Sequence, residues 1–138
     1  MRPRLACITF VIGLSFGPQL AAAADAPLDA ETLAQPREGE SATLRLDSIR
    51  RFGEVLGRFD VSIAWADNTR PAPEDYFPRR VRYQANCEEG TITLAAVGVF
   101  DRSGMLQKTM VVPPGASDPV KPEKGTEQAK WLRRVCMF

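Results

Sequence analysis

The sequence predicts an α+β domain: an antiparallel β-sheet of five to six strands, with a C-terminal α-helix packed on one face and tethered by a disulfide. Three observations predict it. Period-two alternation of apolar and polar residues recurs from residue 42 to residue 112, broken by turn-forming clusters. One stretch of helical spacing closes the chain after Thr126. Two cysteines, Cys87 at the end of an alternating stretch and Cys136 in the helical one, stand about 50 residues apart, as a stabilising cross-link would. The chain has 138 residues, 44% of them hydrophobic and 25% charged, which suits one domain.

Residues 1–24 have the three parts of a secretory signal peptide. Arg2 and Arg4 open it, Leu5 to Phe16 is an uncharged apolar run, and Ala22 and Ala24 are the small pair before cleavage. The run is too short to cross a bilayer as a helix. Cys7 stands at the start of the run instead of following it, so it is no lipidation site. The mature chain is therefore expected to be soluble and periplasmic. Cleavage removes two of 18 basic residues and leaves all 17 acidic ones, for a net charge of −1. It also leaves two cysteines of three, and in an oxidising compartment such a pair usually bonds. A closed loop of about 50 residues gives roughly 4 kcal/mol of stabilisation on the chain-entropy account.

Residues 25–41, acidic, alanine-rich and carrying Pro27 and Pro36, read as a flexible leader. The domain proper is expected over 42–138. Ala42 to Asp47 alternates as a short half-buried strand, and a turn region carrying Ile49 runs to Gly53. Glu54 to Trp65 is the clearest strand, with Val55, Phe59, Val61, Ile63 and Trp65 on one face. Gly57 interrupts that face as a bulge or bend would. Ala66 to Pro78, with three prolines, is a long loop. Arg79 to Cys87 alternates again, placing Val81, Tyr83, Ala85 and Cys87 one way and Arg80, Arg82, Gln84 and Asn86 the other. Glu88-Glu89-Gly90 is a turn, and Thr91 to Phe100 is apolar enough for a strand covered on both faces, with Gly98 a second candidate bulge. After the turn at Asp101 to Gly104, Met105 to Val112 is a fifth strand. Pro113 to Gly125 is a connector. Thr126 then caps a helix with Glu127 in its first turn and Arg133 and Arg134 near its end, where the helix dipole favours each. Trp131 and Trp65 are expected between sheet and helix.

This arrangement resembles the surface-adhesin protein E family of proteobacterial envelope proteins. The resemblance rests on Leu46 to Gly53 as opening strand and turn, the long strand through Trp65, Asn86-Cys87 at a strand end, the hairpin Leu94 to Gly104, and Val135-Cys136 near the C-terminus. It spans roughly residues 42–138. It implies a small periplasmic or surface domain with a helix disulfide-tethered to an antiparallel sheet. Named members of the family are adhesins for host matrix proteins. The chain departs from the family in lacking a lipidation site and in carrying Tyr76-Phe77-Pro78 before the cysteine strand.

The chemistry available is narrow. There is no histidine, so the commonest general base and metal ligand is missing. No phosphate loop, dinucleotide fingerprint, zinc pattern or Ser-x-x-Lys motif occurs in the mature chain, and no cofactor is implied. The formal charge of +1 offers no footprint for nucleic acid. Glu74-Asp75 and Glu88-Glu89 fall in turns, where carboxylates are ordinarily solvated. The candidate binding residues are Arg45, Arg58, Arg80 and Arg82, which share the polar sheet face and together could grip carboxylate, sulfate or phosphate. The same pattern is also the ordinary solvated face of a sheet, with Asp60 partly balancing it. Tyr76 and Phe77 are either an exposed aromatic anchor or a pair tucked back onto the sheet. The expected function is that of a non-enzymatic exported binding module of the bacterial envelope, adhesin-like, for an anionic glycan, lipid headgroup or protein surface. The alternative is a structural or assembly subunit of the periplasm with no small-molecule ligand.

Overall fold

The computed structural model describes residues 29–138, so the expected signal peptide over 1–24 and the start of the leader lie outside the described residues. Five strands follow one another in space as in sequence: β1 (Glu40–Phe52), β2 (Leu56–Trp65), β3 (Arg79–Asn86), β4 (Thr91–Phe100) and β5 (Leu106–Val111). Each pairs antiparallel with the next. A short helix, α1 (Ala30–Leu33), precedes the sheet, and α2 (Glu127–Cys136) ends the chain.

The core lies on one face of this sheet, called here the inner face. Phe59, Val61 and Ile63 of β2, Val81, Tyr83 and Ala85 of β3, and Ile92, Leu94 and Val97 of β4 are buried there. In β4 the buried positions change parity because Ala95 is an additional residue: Tyr83 faces Leu94, while Arg82 faces Ala96. The bulge is therefore at Ala95 and not at Gly98. β4 is also covered on one face only, since Ala96 and Gly98 look onto an open concavity on the outer face.

β1 is longer than the expected 42–47 strand. Arg45 pairs with Asp60 and Arg50 with Arg58, so four residues of β1 stand against Phe59 alone. Ser48 closes the gap: its Oγ accepts from the Asp60 amide at 2.7 Å and donates to the Arg45 carbonyl at 2.6 Å. The detour turns Ile49 into the core, where it is 1% exposed.

The cap expected at Thr126 is present, its Oγ1 accepting from the Ala129 amide at 3.3 Å. One helical turn separates the two buried residues of α2, Trp131 and Val135. Trp131 meets Phe59 and Tyr83, with ring centroids 6.5 and 6.3 Å away. Val135 sits over Gly57, where a Cβ would lie 3.1 Å from Val135 Cγ1. Gly57 therefore admits the helix; strand pairing runs through it without a shift. The Cys87–Cys136 disulfide joins the end of α2 to the residue after β3, with Cα atoms 5.6 Å apart. Arg51 Nη1 donates to the carbonyls of Val135 and Cys136, at 3.3 and 2.8 Å, satisfying the end of α2.

From Asp29 onward the expected flexible leader belongs to the fold. Asp29 accepts from the Thr32 amide at 2.7 Å, and Leu33 and Ala34 enter the core at 4% and 6% exposure. A ten-residue helix such as α2 covers only about 15 Å of sheet. The remaining apolar inner face is shielded by α1. Trp65 also departs from expectation. It lies beside the leader and not under α2, packed on Gly39, whose φ of +87° and contact with the indole leave no room for a Cβ. Its Nε1 donates to the carbonyls of Asp67 and Arg70, each at 3.1 Å.

Candidate functional site on the outer sheet face

β3 presents Arg79 to the inner face and Arg80 and Arg82 to the outer one, as strand alternation requires. On the outer face β2 and β3 bring Arg80 and Arg82 to a single carboxylate, that of Asp60. Arg82 donates from Nε to Asp60 Oδ1 at 2.9 Å and from Nη2 to Oδ2 at 3.2 Å. Arg80 Nε forms an ion pair with Asp60 Oδ2 at 2.9 Å. The Asp60 side chain is 3% exposed, against 39% for Arg80 and 45% for Arg82, so the acid lies beneath its partners. Burial alone would raise the Asp60 carboxyl, but the Arg82 hydrogen bond and the two guanidinium charges hold it below its ordinary range.

Beside this trio is a concavity of ≈ 260 Å³, floored by Ala96 and Gly98 and walled by Phe100 and Leu106. The small floor residues leave the guanidinium edges clear. Among the described residues, Arg80 Nη1 and Nη2 and Arg82 Nη1 make no hydrogen bond, which leaves charged donors beside the concavity.

The other two expected arginines are placed differently. Arg45 lies opposite Asp60 in register but turns to Asp47 Oδ2 at 3.3 Å and Ser62 Oγ at 3.4 Å. Arg58 stands over the Phe52 ring at 5.5 Å. The four therefore do not form one cluster; two share a buried acid and two have partners of their own. Tyr76 and Phe77 turn inward. Tyr76 Oη donates to Glu40 Oε2 at 2.8 Å and its ring meets Trp65 edge-on, while Phe77 packs against the core under Arg37 and Arg79. Neither ring is an exposed anchor. Glu74, Asp75, Glu88 and Glu89 are exposed in turns or loops.

Sequence reasoning missed Arg79. Its side chain is fully buried and bidentate on Glu40, at 2.8 and 2.9 Å, and it also donates to the carbonyls of Leu33 and Gln35, at 2.7 and 3.1 Å. The signal was present: Arg79 shares the parity of Val81 and Tyr83, so it had to point inward. For Glu40, burial works to raise the carboxyl, and the bonds from Arg79, the Arg37 amide and Tyr76 outweigh it, leaving it below its ordinary value of 4.5. The Tyr76 phenol is pushed up by burial and by its bond to Glu40.

Among the described residues no group of three or more His, Cys, Asp or Glu is placed to hold a metal ion, and no helix is long and apolar enough to cross a membrane. No protein-family model matches the chain, and neither a curated protein nor a solved structure matches it.

Proposed function

We propose that this protein is an exported, non-enzymatic binding module that recognises an anionic group with the outer face of its sheet. The observation that carries this reading is the Asp60–Arg80–Arg82 trio beside an open concavity, with three guanidinium nitrogens unspent. Asp60 orients both side chains and cancels one of two charges, so the site keeps a net charge of +1 and a directional set of donors. Carboxylate, sulfate and phosphate oxygens fit it, on a glycan, a lipid headgroup or a protein. The motif resemblance to the surface-adhesin protein E family and the signal-peptide pattern support an envelope location and an adhesin-like role.

The test is a titration with a sulfated oligosaccharide, following the arginine Nε–Hε signals by NMR. Saturable shifts at Arg80 and Arg82 that weaken with added salt are expected, because exposed charges are screened over about 8 Å at physiological ionic strength. Replacing the arginines alone would strand the buried Asp60. The matched variant is therefore Arg80→Gln and Arg82→Gln together with Asp60→Asn. Undiminished binding by that variant would overturn the reading.

The second reading, a structural or assembly subunit, is favoured by the β5 edge. β5 has no strand beyond it among the described residues, and Met105, Leu106 and Val111 are 65%, 55% and 73% exposed. Association that rises with concentration and is abolished by Leu106→Lys would favour it.

A further inference from the structure

A second cavity, of ≈ 270 Å³, opens on the inner face, on the opposite side of the sheet from the arginine trio. Tyr83, Ile92 and Leu94 form its floor. Its walls are Ala34 beyond α1, Val120 of the connector and Gln128 of α2. Each wall is fixed independently. Val120 exchanges two backbone bonds with Ile92, at 2.9 and 2.8 Å. The segment after α1 is held by Arg79 through the carbonyls of Leu33 and Gln35, and α2 is held by the disulfide. The cavity is thus pre-formed, which lowers the ordering cost of binding.

Two features define what it would take. Tyr83 is 7% exposed, and its hydroxyl has no hydrogen bond among the described residues. The hydroxyl is open to the cavity, so a ligand lying on the floor can bond it. Burial pushes the phenol up to about 12, so at neutral pH it is a neutral O–H able to donate or accept. Around the mouth stand Glu31 and Asp118, and no lysine or arginine lines the cavity. The apolar floor calls for hydrocarbon and the acidic mouth for positive charge.

We infer that this cavity binds a small organic cation, an alkylammonium whose short apolar body lies on Ile92 and Leu94 while its charged end meets Glu31 and Asp118. The volume sits just under the usual range for drug-sized ligands, which suits a short chain. Anions are repelled at the mouth, and an uncharged hydrocarbon leaves both carboxylates without a counter-charge.

The test uses hexylammonium as probe, with hexanoate and hexanol as controls, added to the folded, disulfide-bonded protein and read by amide shifts in NMR. Saturable shifts at Ile92, Leu94 and Gln128 are expected with hexylammonium. Affinity for hexanol should be about tenfold lower, as befits loss of a charged contact, and hexanoate should not bind. Glu31→Gln with Asp118→Asn, both exposed positions, should weaken hexylammonium about tenfold without changing the unfolding midpoint. Absence of saturable shifts, equal binding of hexanoate, or unaltered affinity in the double variant would each overturn the proposal.

Discussion

Arg79 and Arg80 are neighbours in the chain and opposites in the molecule. Arg79 is wholly inside, bidentate on a buried Glu40, with its other donors spent on the backbone around α1. Arg80, with Arg82, meets an equally buried acid, Asp60, but from the solvent side, and keeps donors free. The chemistry is the same carboxylate–guanidinium pair in both places. What differs is whether the surrounding backbone consumes the remaining N–H groups. Where it does, the pair is a clasp that holds the leader to the sheet. Where it does not, guanidinium N–H groups stay open to solvent, and the acid fixes where they point.

The comparison breaks most sharply at Arg79. Arg79→Leu leaves the Glu40 carboxylate buried without its countercharge, and removing one partner of a buried pair typically costs about 3–5 kcal/mol. Urea unfolding should show that loss, and hydrogen exchange should show α1 opening first. A loss below about 1 kcal/mol would mean that water reaches Glu40 and that the clasp is not sealed.

Replacing both Cys87 and Cys136 by serine should cost roughly 2–5 kcal/mol. It should release α2 while the Glu40–Arg79 clasp keeps α1 docked, so amide protection should fall at Trp131 to Val135 and persist at Leu33 and Ala34. Equal loss at both ends would show that the two halves of the inner face are one cooperative unit.

Acid should undo both pairs. Glu40 and Asp60 are each held below their ordinary values, 4.5 and 3.8, in the folded state. Groups lowered by folding contribute stability that is fully present above the unfolded value and is lost as pH falls through the folded one. Stability should therefore be level down to about pH 5 and decline below it. Glu40→Gln should start lower at neutral pH and decline less steeply, as followed by urea midpoints across pH 2–7. A variant curve parallel to the parent's would remove Glu40 from the account.

The smallest effects belong to the outer face. Arg82→Ala still leaves Arg80 on Asp60, and with the Arg82 side chain 45% exposed the loss should be about 1 kcal/mol. Arg58→Ala removes only its placement over Phe52, worth about 0.5–1 kcal/mol at an exposed site. If Arg82→Ala instead costs as much as Arg79→Leu, the outer trio is a structural element and the contrast between the faces fails.

Alternation made β2 and β3 legible, because one buried face imposes a period of two over eight to ten residues, while β4 was legible as an apolar run between turns. The cap at Thr126 was legible for similarly local reasons, and the pairing of Cys87 with Cys136 because only two cysteines follow the expected signal peptide. The bulge between Arg45 and Arg50 has the sequence pattern of a turn, since a strand that detours and resumes has no period of its own. For the candidate site, alternation placed Arg80 and Arg82 correctly on the polar face, but it also put Asp60 there as a solvated balance, and Asp60 is buried.

By itself the sequence determined what depends on neighbours along the chain: which residues alternate, where a helix can start, and which face of a strand is apolar. Only the tertiary structure decided which acid meets which base. Glu40 lies 39 positions from Arg79, and Asp60 lies 22 from Arg82. Nothing local distinguishes these carboxylates from the exposed ones in the turns. Their partners are set by the register of β2 on β3 and by the apolar inner face left uncovered by a ten-residue helix. That uncovered area draws in Leu33 and Ala34, and with them the described part of the expected leader, from Asp29 onward. Burial of apolar surface rewards any segment able to reach it, and reach is a property of the folded chain.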